Sequence, residues 1–222
     1  MFYKNLKIGT KLNLSFAVLI IVPLSIIGFL SYNKMSSSLI EQNRNNLLEL
    51  MKQTSKSIDI AFMEIDRNMI ALSRNEQIGS LVENYSKLDD SQKIRSRHQI
   101  QQLMNDTINA RVDIVDIYII TNDNEIFSSG VRAMKQDFDL LSSYAVTKFE
   151  ESKKNSLWID TYETDNDATG GISKRILTVF KNMYVTTSLK SVGTLMANVK
   201  ELYLYELVKD IKMDYDGYFF II

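Results

Sequence analysis

Cysteine is absent from the 222 residues. Disulfide frameworks, thiolate chemistry and cysteine-based zinc sites are therefore excluded. One proline and eight glycines are too few for a linker-rich or disordered chain. Histidine occurs once, as His98, and tryptophan once, as Trp158. The formal net charge is −1, with no basic stripe of the kind that tracks a nucleic-acid backbone. No nucleic-acid partner is expected.

What is present begins with an uncharged run from Leu12 to Tyr32. A bilayer core is about 30 Å thick and a helix rises about 1.5 Å per residue, so about 20 apolar residues cross it. Pro23 is tolerated, because membrane helices re-satisfy the freed backbone group. Lys4, Lys7 and Lys11 precede the run with no acid beside them, whereas Lys34 and Arg44 after it are offset by Glu41 and Glu49. Basic flanks stay on the cytoplasmic side. The expected topology is a cytoplasmic tail over residues 1–11, a membrane helix over 12–32 and an extracytoplasmic remainder over 33–222. A cleaved signal peptide shares the basic start and the apolar stretch, but no small-x-small site follows Leu30. The lipid bilayer is thus the first expected partner.

Beyond the span, Ile40, Leu47, Met51, Ile58, Phe62, Ile65, Met69 and Leu72 recur at steps of seven, four and three. That is one stripe of a helix. Neither glycine nor proline interrupts residues 35–77, so one helix continuous with the span is expected. The stripe fits a homodimer seam, a face packed on the domain beyond, or both at different heights. Asn75 and Gly79 suggest a break, with a short helix from Glu76 to Tyr85. Ser91 to Ala110 reads as a helix with Ile94, Ile100, Leu103, Met104 and Ile108 as its apolar set.

The period changes at Val112. Residues 112–121 are β-branched and aromatic and read as a strand. Asn122 to Glu125 is a turn, and Ile126 to Ser129 a short returning strand. A helix is expected over Asp137–Ser152, an extended piece over Leu157–Tyr162 and a polar loop over Glu163–Gly171. Strands over Arg175–Val185 and Ser191–Val199, a helix over Glu201–Ile211 and a strand from Gly217 complete the chain. The expected class is α+β: a transmembrane helix running into a long extracellular helix, then an antiparallel sheet packed by helices. The strand ending in Phe219-Phe220-Ile221-Ile222 has no partner after it, as though a second domain begins there.

Several residues carry a resemblance. Lys11 to Phe16, Pro23 and Ser31-Tyr32 resemble the first membrane segment of YesM-like sensor histidine kinases. Gln53-Thr54-Ser55, Ile58-Asp59 and Glu64-Ile65-Asp66 look like their first extracellular helix. Ile114 to Thr121, Leu157-Trp158, Lys174-Arg175-Ile176 and Val192 to Leu195 look like the membrane-distal half of a double Cache domain. Glu201 to Val208 followed by Asp216 to Ile221 resembles the junction into the membrane-proximal half. The resemblance implies a long helical segment over 33–86, a PAS-like distal Cache domain over 87–200 and a connection over 201–222 into a second, truncated Cache half. It implies an extracellular ligand sensor whose kinase part is not in this chain. Similar Cache inputs occur on chemoreceptors and diguanylate cyclases.

Candidate chemistry is sparse. His98 stands among Arg95, Arg97 and Gln99 on a helix expected outside the cell, and no Gly-rich phosphate loop is present. No catalytic residue and no cofactor are expected. Asp165 to Gly170 begins like a calcium loop, but Ile176 occupies the position that needs a bidentate Glu. No metal is expected. Trp158 fits either a core aromatic or the wall of a ligand pocket. Arg175 fits either a surface ion pair or, by resemblance, a clamp for an acidic group. With Asp160, Tyr162 and Tyr118 they form the expected ligand-binding set for a small extracellular solute. In the amino-acid-binding double Cache domains an Arg stands just before the aromatic motif, whereas here Leu157 precedes Trp158.

The lysine asymmetry yields a direct test. A reporter active only outside the cytoplasm, fused after Ser128, is expected to be active. A stable but inactive fusion would overturn the extracytoplasmic assignment.

Overall fold

The computed structural model of the chain describes residues 7–109, 113–130, 138–164, 175–185 and 190–209. The acidic loop 165–170, the 186–189 connection and the expected strand at 217–222 lie outside them. Two compact units divide at Gln53 and Thr54.

The first unit is one stretch of helix. Helix α1 runs from Ile8 to Ser73 with Pro23 inside it. Its apolar run is exposed throughout, including Leu19, Leu24 and Phe29. By length and composition it can cross a membrane. Farther along, Ile40, Leu47 and Met51 of the expected stripe are also exposed.

The second unit is a five-stranded antiparallel sheet between helices. The last turns of α1 bury Ala61, Ile65, Met69 and Leu72, which are the residues the helical period selects. Asn75 caps the next helix, α2 (Glu76–Asn84), by accepting from the Ile78 amide at 3.1 Å. Gly79 lies inside α2 rather than breaking it. A Cβ there would stand 3.4 Å from Val185 Cγ2, an ordinary contact, so the position has room for a side chain. Helix α3 spans Asp90–Asn109. Ile100 and Met104 are fully buried, but Ile94 is 71% exposed because it faces away from the sheet, contrary to the expected apolar set. Arg97 of α3 donates to the Ile126 carbonyl at 2.8 Å and to Glu125 Oε2 at 3.0 Å, pinning the helix to the sheet edge.

The strands are β1 (Ile114–Thr121), β2 (Ile126–Ser128), β3 (Ser156–Glu163), β4 (Arg175–Tyr184) and β5 (Ser191–Lys200). They pair in the order β2-β1-β5-β4-β3. Helix α5 (Glu201–Val208) follows β5 directly. Because side chains alternate across a strand, the sheet has two inner faces. On one, Ile117, Ile119, Val179, Leu195 and Ala197 pack with Ile65, Met69, Ile78, Ile100 and Met104 from α1, α2 and α3. On the other, Tyr118, Phe180 and Met196 pack with Ala145, Val146 and Phe149 of α4 (Tyr144–Ser152).

Helix α4 starts later than the periodicity predicts. Asp139 accepts from the Leu141 amide at 3.1 Å and from the Ser142 hydroxyl at 2.6 Å, and the Ser143 amide bonds the Leu140 carbonyl at 3.1 Å. These side-chain and turn bonds compete with helix over 139–143. Gln136 and Asp137, either of which fits the cap of a helix starting at Asp137, lie outside the described residues.

Gly79 and Gly193 should respond oppositely. Gly193 has φ +154°, and a Cβ there would meet the Ile120 carbonyl oxygen at 2.3 Å. Gly193→Ala is expected to cost about 1–3 kcal/mol or more, read by denaturation followed through Trp158 emission. Gly79→Ala makes an ordinary contact and gains about 1 kcal/mol of helix propensity, so it should leave stability unchanged or raised. The reverse order would contradict the packing described.

Candidate functional site

The α4 face of the sheet carries a transverse polar row. Asp116 pairs with Asn198 across β1 and β5, and Asn198 with Thr178 across β5 and β4, so all three point to the same side. On β3 a register shift between Ile159 and Tyr162 turns Tyr162 onto this face as well. The side chains form one chain of hydrogen bonds. Tyr162 Oη and Thr178 Oγ1 are 2.7 Å apart. Thr178 Oγ1 donates to Asn198 Oδ1 at 2.7 Å, and Asn198 Nδ2 donates to Asp116 Oδ1 at 2.8 Å. Tyr118 Oη donates to Asp116 Oδ2 at 3.2 Å.

Asp116 is only 2% exposed. Burial raises its pKa to about 7, and the bonds from Asn198 and Tyr118 only partly offset this. Tyr162 is pushed up to about 12, first by burial, with the charges of Asp116 and Tyr144 adding to it. Both shifts follow from putting polar groups into a sheet face that is otherwise apolar.

Above the row lies a cavity of about 280 Å³. Its floor includes Tyr162, Met196 and Asn198, and its roof is the turn from Phe138 to Tyr144. The Tyr144 and Tyr162 rings lean on each other, 5.3 Å between centroids. Asp139 stands at the rim, where the Ser142 hydroxyl holds its carboxyl below the usual range. Ser143 Oγ, also on the cavity lining, is buried with no hydrogen-bond partner among the described residues. Ser143 occupies the cap position of α4 without capping it. A small cavity with an apolar wall, a fixed polar floor and an unsatisfied hydroxyl can take up a small polar solute. Among the described residues no cluster of His, Cys, Asp and Glu has the geometry of a metal site.

The residues expected from sequence separate. Tyr162 lines this cavity, whereas Tyr118 is buried beside Asp116 without lining it. Trp158 points to the opposite face, where its ring meets Phe62 of α1 edge-on at 4.8 Å. Asp160 is exposed at the register shift. Arg175 pairs with Glu201 at 3.1 Å, tying the start of β4 to α5. The bulge in β3 is the reason: it puts Trp158 and Tyr162 on different sides. Asp116, Asn198 and Thr178 were not singled out by sequence. The available signal was an acid and an amide inside the β-branched runs Ile114–Thr121 and Ser191–Lys200.

A larger cleft of about 500 Å³ lies near the β1–β2 turn, lined by Glu83, Lys93, Asn122 and Lys190 among others. Its Glu83 and Lys190 charges are 3.5 Å apart, and the buried Thr121 in its lining accepts from the Glu125 amide at 3.0 Å.

No family model matches the chain. The chain is 21% identical over 197 residues to the Sensor protein kinase WalK of Staphylococcus saprophyticus, covering 88% of this chain and 29% of that protein. Among solved structures it resembles the ligand-binding domain of the Campylobacter jejuni chemoreceptor Tlp3 in complex with L-norvaline, with a TM-score of 0.58, 17% identity and coverage of 78% and 64% of the two chains. It also resembles that of the Pseudomonas fluorescens chemoreceptor CtaA in complex with L-isoleucine, with a TM-score of 0.55, 13% identity and coverage of 79% and 64%. The ligand-binding domain of the Pseudomonas aeruginosa PAO1 chemoreceptor PctC in complex with GABA matches with a TM-score of 0.54, 12% identity and coverage of 77% and 67%. The chain thus spans about three tenths of the curated relative and about two thirds of these structures' chains. The fold is that of these ligand-binding domains: a long N-terminal helix followed by a five-stranded antiparallel sheet with helices.

The buried carboxyl makes stability depend on pH. The unfolded chain releases the Asp116 proton near the ordinary carboxyl value of 3.8, whereas the folded chain keeps it to about 7. The folded state binds more protons between these values, so stability from this group is full below about pH 4, falls as pH rises to about 7 and is flat above. At about 1.4 kcal/mol per unit the loss is on the order of 4 kcal/mol. Asp116→Asn should remove it. The difference in stability between wild type and variant should therefore change between pH 4 and pH 7, measured by denaturant unfolding. A constant difference would show that Asp116 titrates as an ordinary carboxyl.

Proposed function

We propose that this chain is the extracytoplasmic sensory input of a membrane-bound sensor histidine kinase. Residues 12–32 are its membrane span and residues 1–11 its cytoplasmic tail. Residues 33–86 form the helical segment, 87–200 the distal Cache domain, and 201–222 the link into a second, proximal half. The observation that carries this reading is the roofed cavity over the polar row, set in a fold shared with ligand-binding domains. The likeness to WalK and the YesM-like N-terminal residues favour a kinase output. The chemoreceptor domains favour a second reading, a chemoreceptor input.

The ligand is a small polar solute held over Tyr162, Asn198 and Met196, with Tyr118 buried beneath beside Asp116. Trp158, Arg175 and Asp160 stand outside that site. The opposite face of the sheet supplies the output. Trp158 packs on Phe62, and Lys181, only 13% exposed, pairs with Asp66 at 2.6 Å. Phe62 and Asp66 belong to α1, whose N-terminal part is the span. A ligand that favours one packing of the sheet on α1 shifts its population, to the extent of its differential affinity. The exposed Ile40, Leu47 and Met51 of α1 offer the seam of a homodimer.

The test is a solute screen on the full chain in lipid nanodiscs, read by thermal shift. A hit is expected, and Tyr162→Phe should weaken it roughly three- to tenfold, as loss of one hydrogen bond does. Arg175→Ala should bind it as wild type. A hit that Arg175→Ala abolishes and Tyr162→Phe leaves intact would move the site off this face.

A further inference from the structure

We infer that the Asp116–Asn198–Thr178 chain fixes Tyr162 as a hydrogen-bond acceptor, so that the cavity selects a ligand presenting an N–H or O–H donor there over an isostere presenting an oxygen acceptor. This rests on the cavity being the ligand site and names the chemistry it reads.

The inference follows from counting protons along the row. Above about pH 7 Asp116 is ionised, and a carboxylate accepts and does not donate. Asn198 therefore turns its amide nitrogen to Asp116 Oδ1, at 2.8 Å, which leaves its oxygen facing Thr178. Thr178 has one hydroxyl proton, and at 2.7 Å from Asn198 Oδ1 that proton is spent. The 2.7 Å contact with Tyr162 then has only one polarity, with Tyr162 donating and Thr178 accepting. The phenol has no other proton. Only its lone pairs remain for a ligand. Asp116 does not line the cavity; it acts through two neighbours and is a positioning residue. Thr178 is fully buried and Asn198 5% exposed, so water does not compete for these bonds along the row.

The cavity lining agrees with this polarity. Its described side chains include the Asp139 carboxylate at the rim and no Lys, Arg or His. A donor group that carries positive charge is favoured by both features, and an anionic acceptor is opposed by both.

The experiment uses three matched pairs of water-soluble probes, each exchanging an amino group for a carbonyl oxygen: L-isoleucine and 3-methyl-2-oxopentanoate, L-alanine and pyruvate, 4-aminobutanoate and 4-oxobutanoate. Binding to the full chain in nanodiscs is measured by ligand-observed NMR at pH 8, with empty nanodiscs as control. At least one amino probe is expected to bind about tenfold or more tighter than its oxo partner, the equivalent of one good hydrogen bond. Thr178→Val keeps the shape but removes the acceptor for the phenol proton. Tyr162 can then donate to the ligand, and the preference should fall several-fold toward unity. Trp158 emission checks that this variant folds, and Tyr162→Phe, which has neither proton nor lone pair, should also lose the preference. Oxo probes binding as tightly as their partners, or a ratio that a folded Thr178→Val leaves unmoved, would overturn the inference while the cavity remains the ligand site. Binding by none of the six would overturn the cavity as a site for such solutes, and the inference with it.

Discussion

The hydrogen bond from Asn198 Nδ2 to Asp116 Oδ1 joins β5 to β1 through a carboxyl group that water does not reach. Removing a carboxylate from water costs several kcal/mol unless it is fully partnered. The structure supplies those partners in a line across the sheet rather than locally, from Tyr118 and Asn198 and then through Thr178 to Tyr162. Such a row has no role in holding an antiparallel sheet together, since Val or Ile at these positions would pack as well. On the proposed reading, its position under the cavity gives it one. A satisfied buried network has one preferred arrangement of donors and acceptors, and that is what a selective floor requires.

On the proposed reading, the sheet also separates reception from output. Thr178 and Phe180 point to the cavity side, whereas Val179 and Lys181 point to α1. Successive residues of one strand thus touch both layers. The Trp158–Phe62 edge contact and the Lys181–Asp66 ion pair are the points at which β3 and β4 grip the helix. On that reading, a change in strand twist under a ligand would alter both contacts together. Packed interfaces of this kind favour two arrangements over a continuum.

Much of the fold was legible in the sequence because it rests on periodicity. The β-branched runs gave four strands within a few residues, and the stripe Phe62–Leu72 named the side of α1 that packs. The polar row was less legible. Asp116 and Asn198 pair beside a slip in the β1–β5 ladder, between Ile114 and Asp116, and the β3–β4 ladder slips between Ile159 and Tyr162. A one-residue slip exchanges the faces, so spacing alone grouped Trp158 with Tyr162. Ile94 and Gly79 were misjudged for a related reason. Which side of α3 or α2 meets the sheet is set by tertiary packing, and no local pattern encodes it.

Methionine is placed well to decide between the two faces. Met196 lies in the cavity floor, and Met63 lies beside Phe62 and Trp158 on the other side. With methyl-labelled methionines in the full chain, titration of a bound solute should shift the Met196 resonance first and most. Binding that shifts Met63 strongly and leaves Met196 unmoved would contradict the site described.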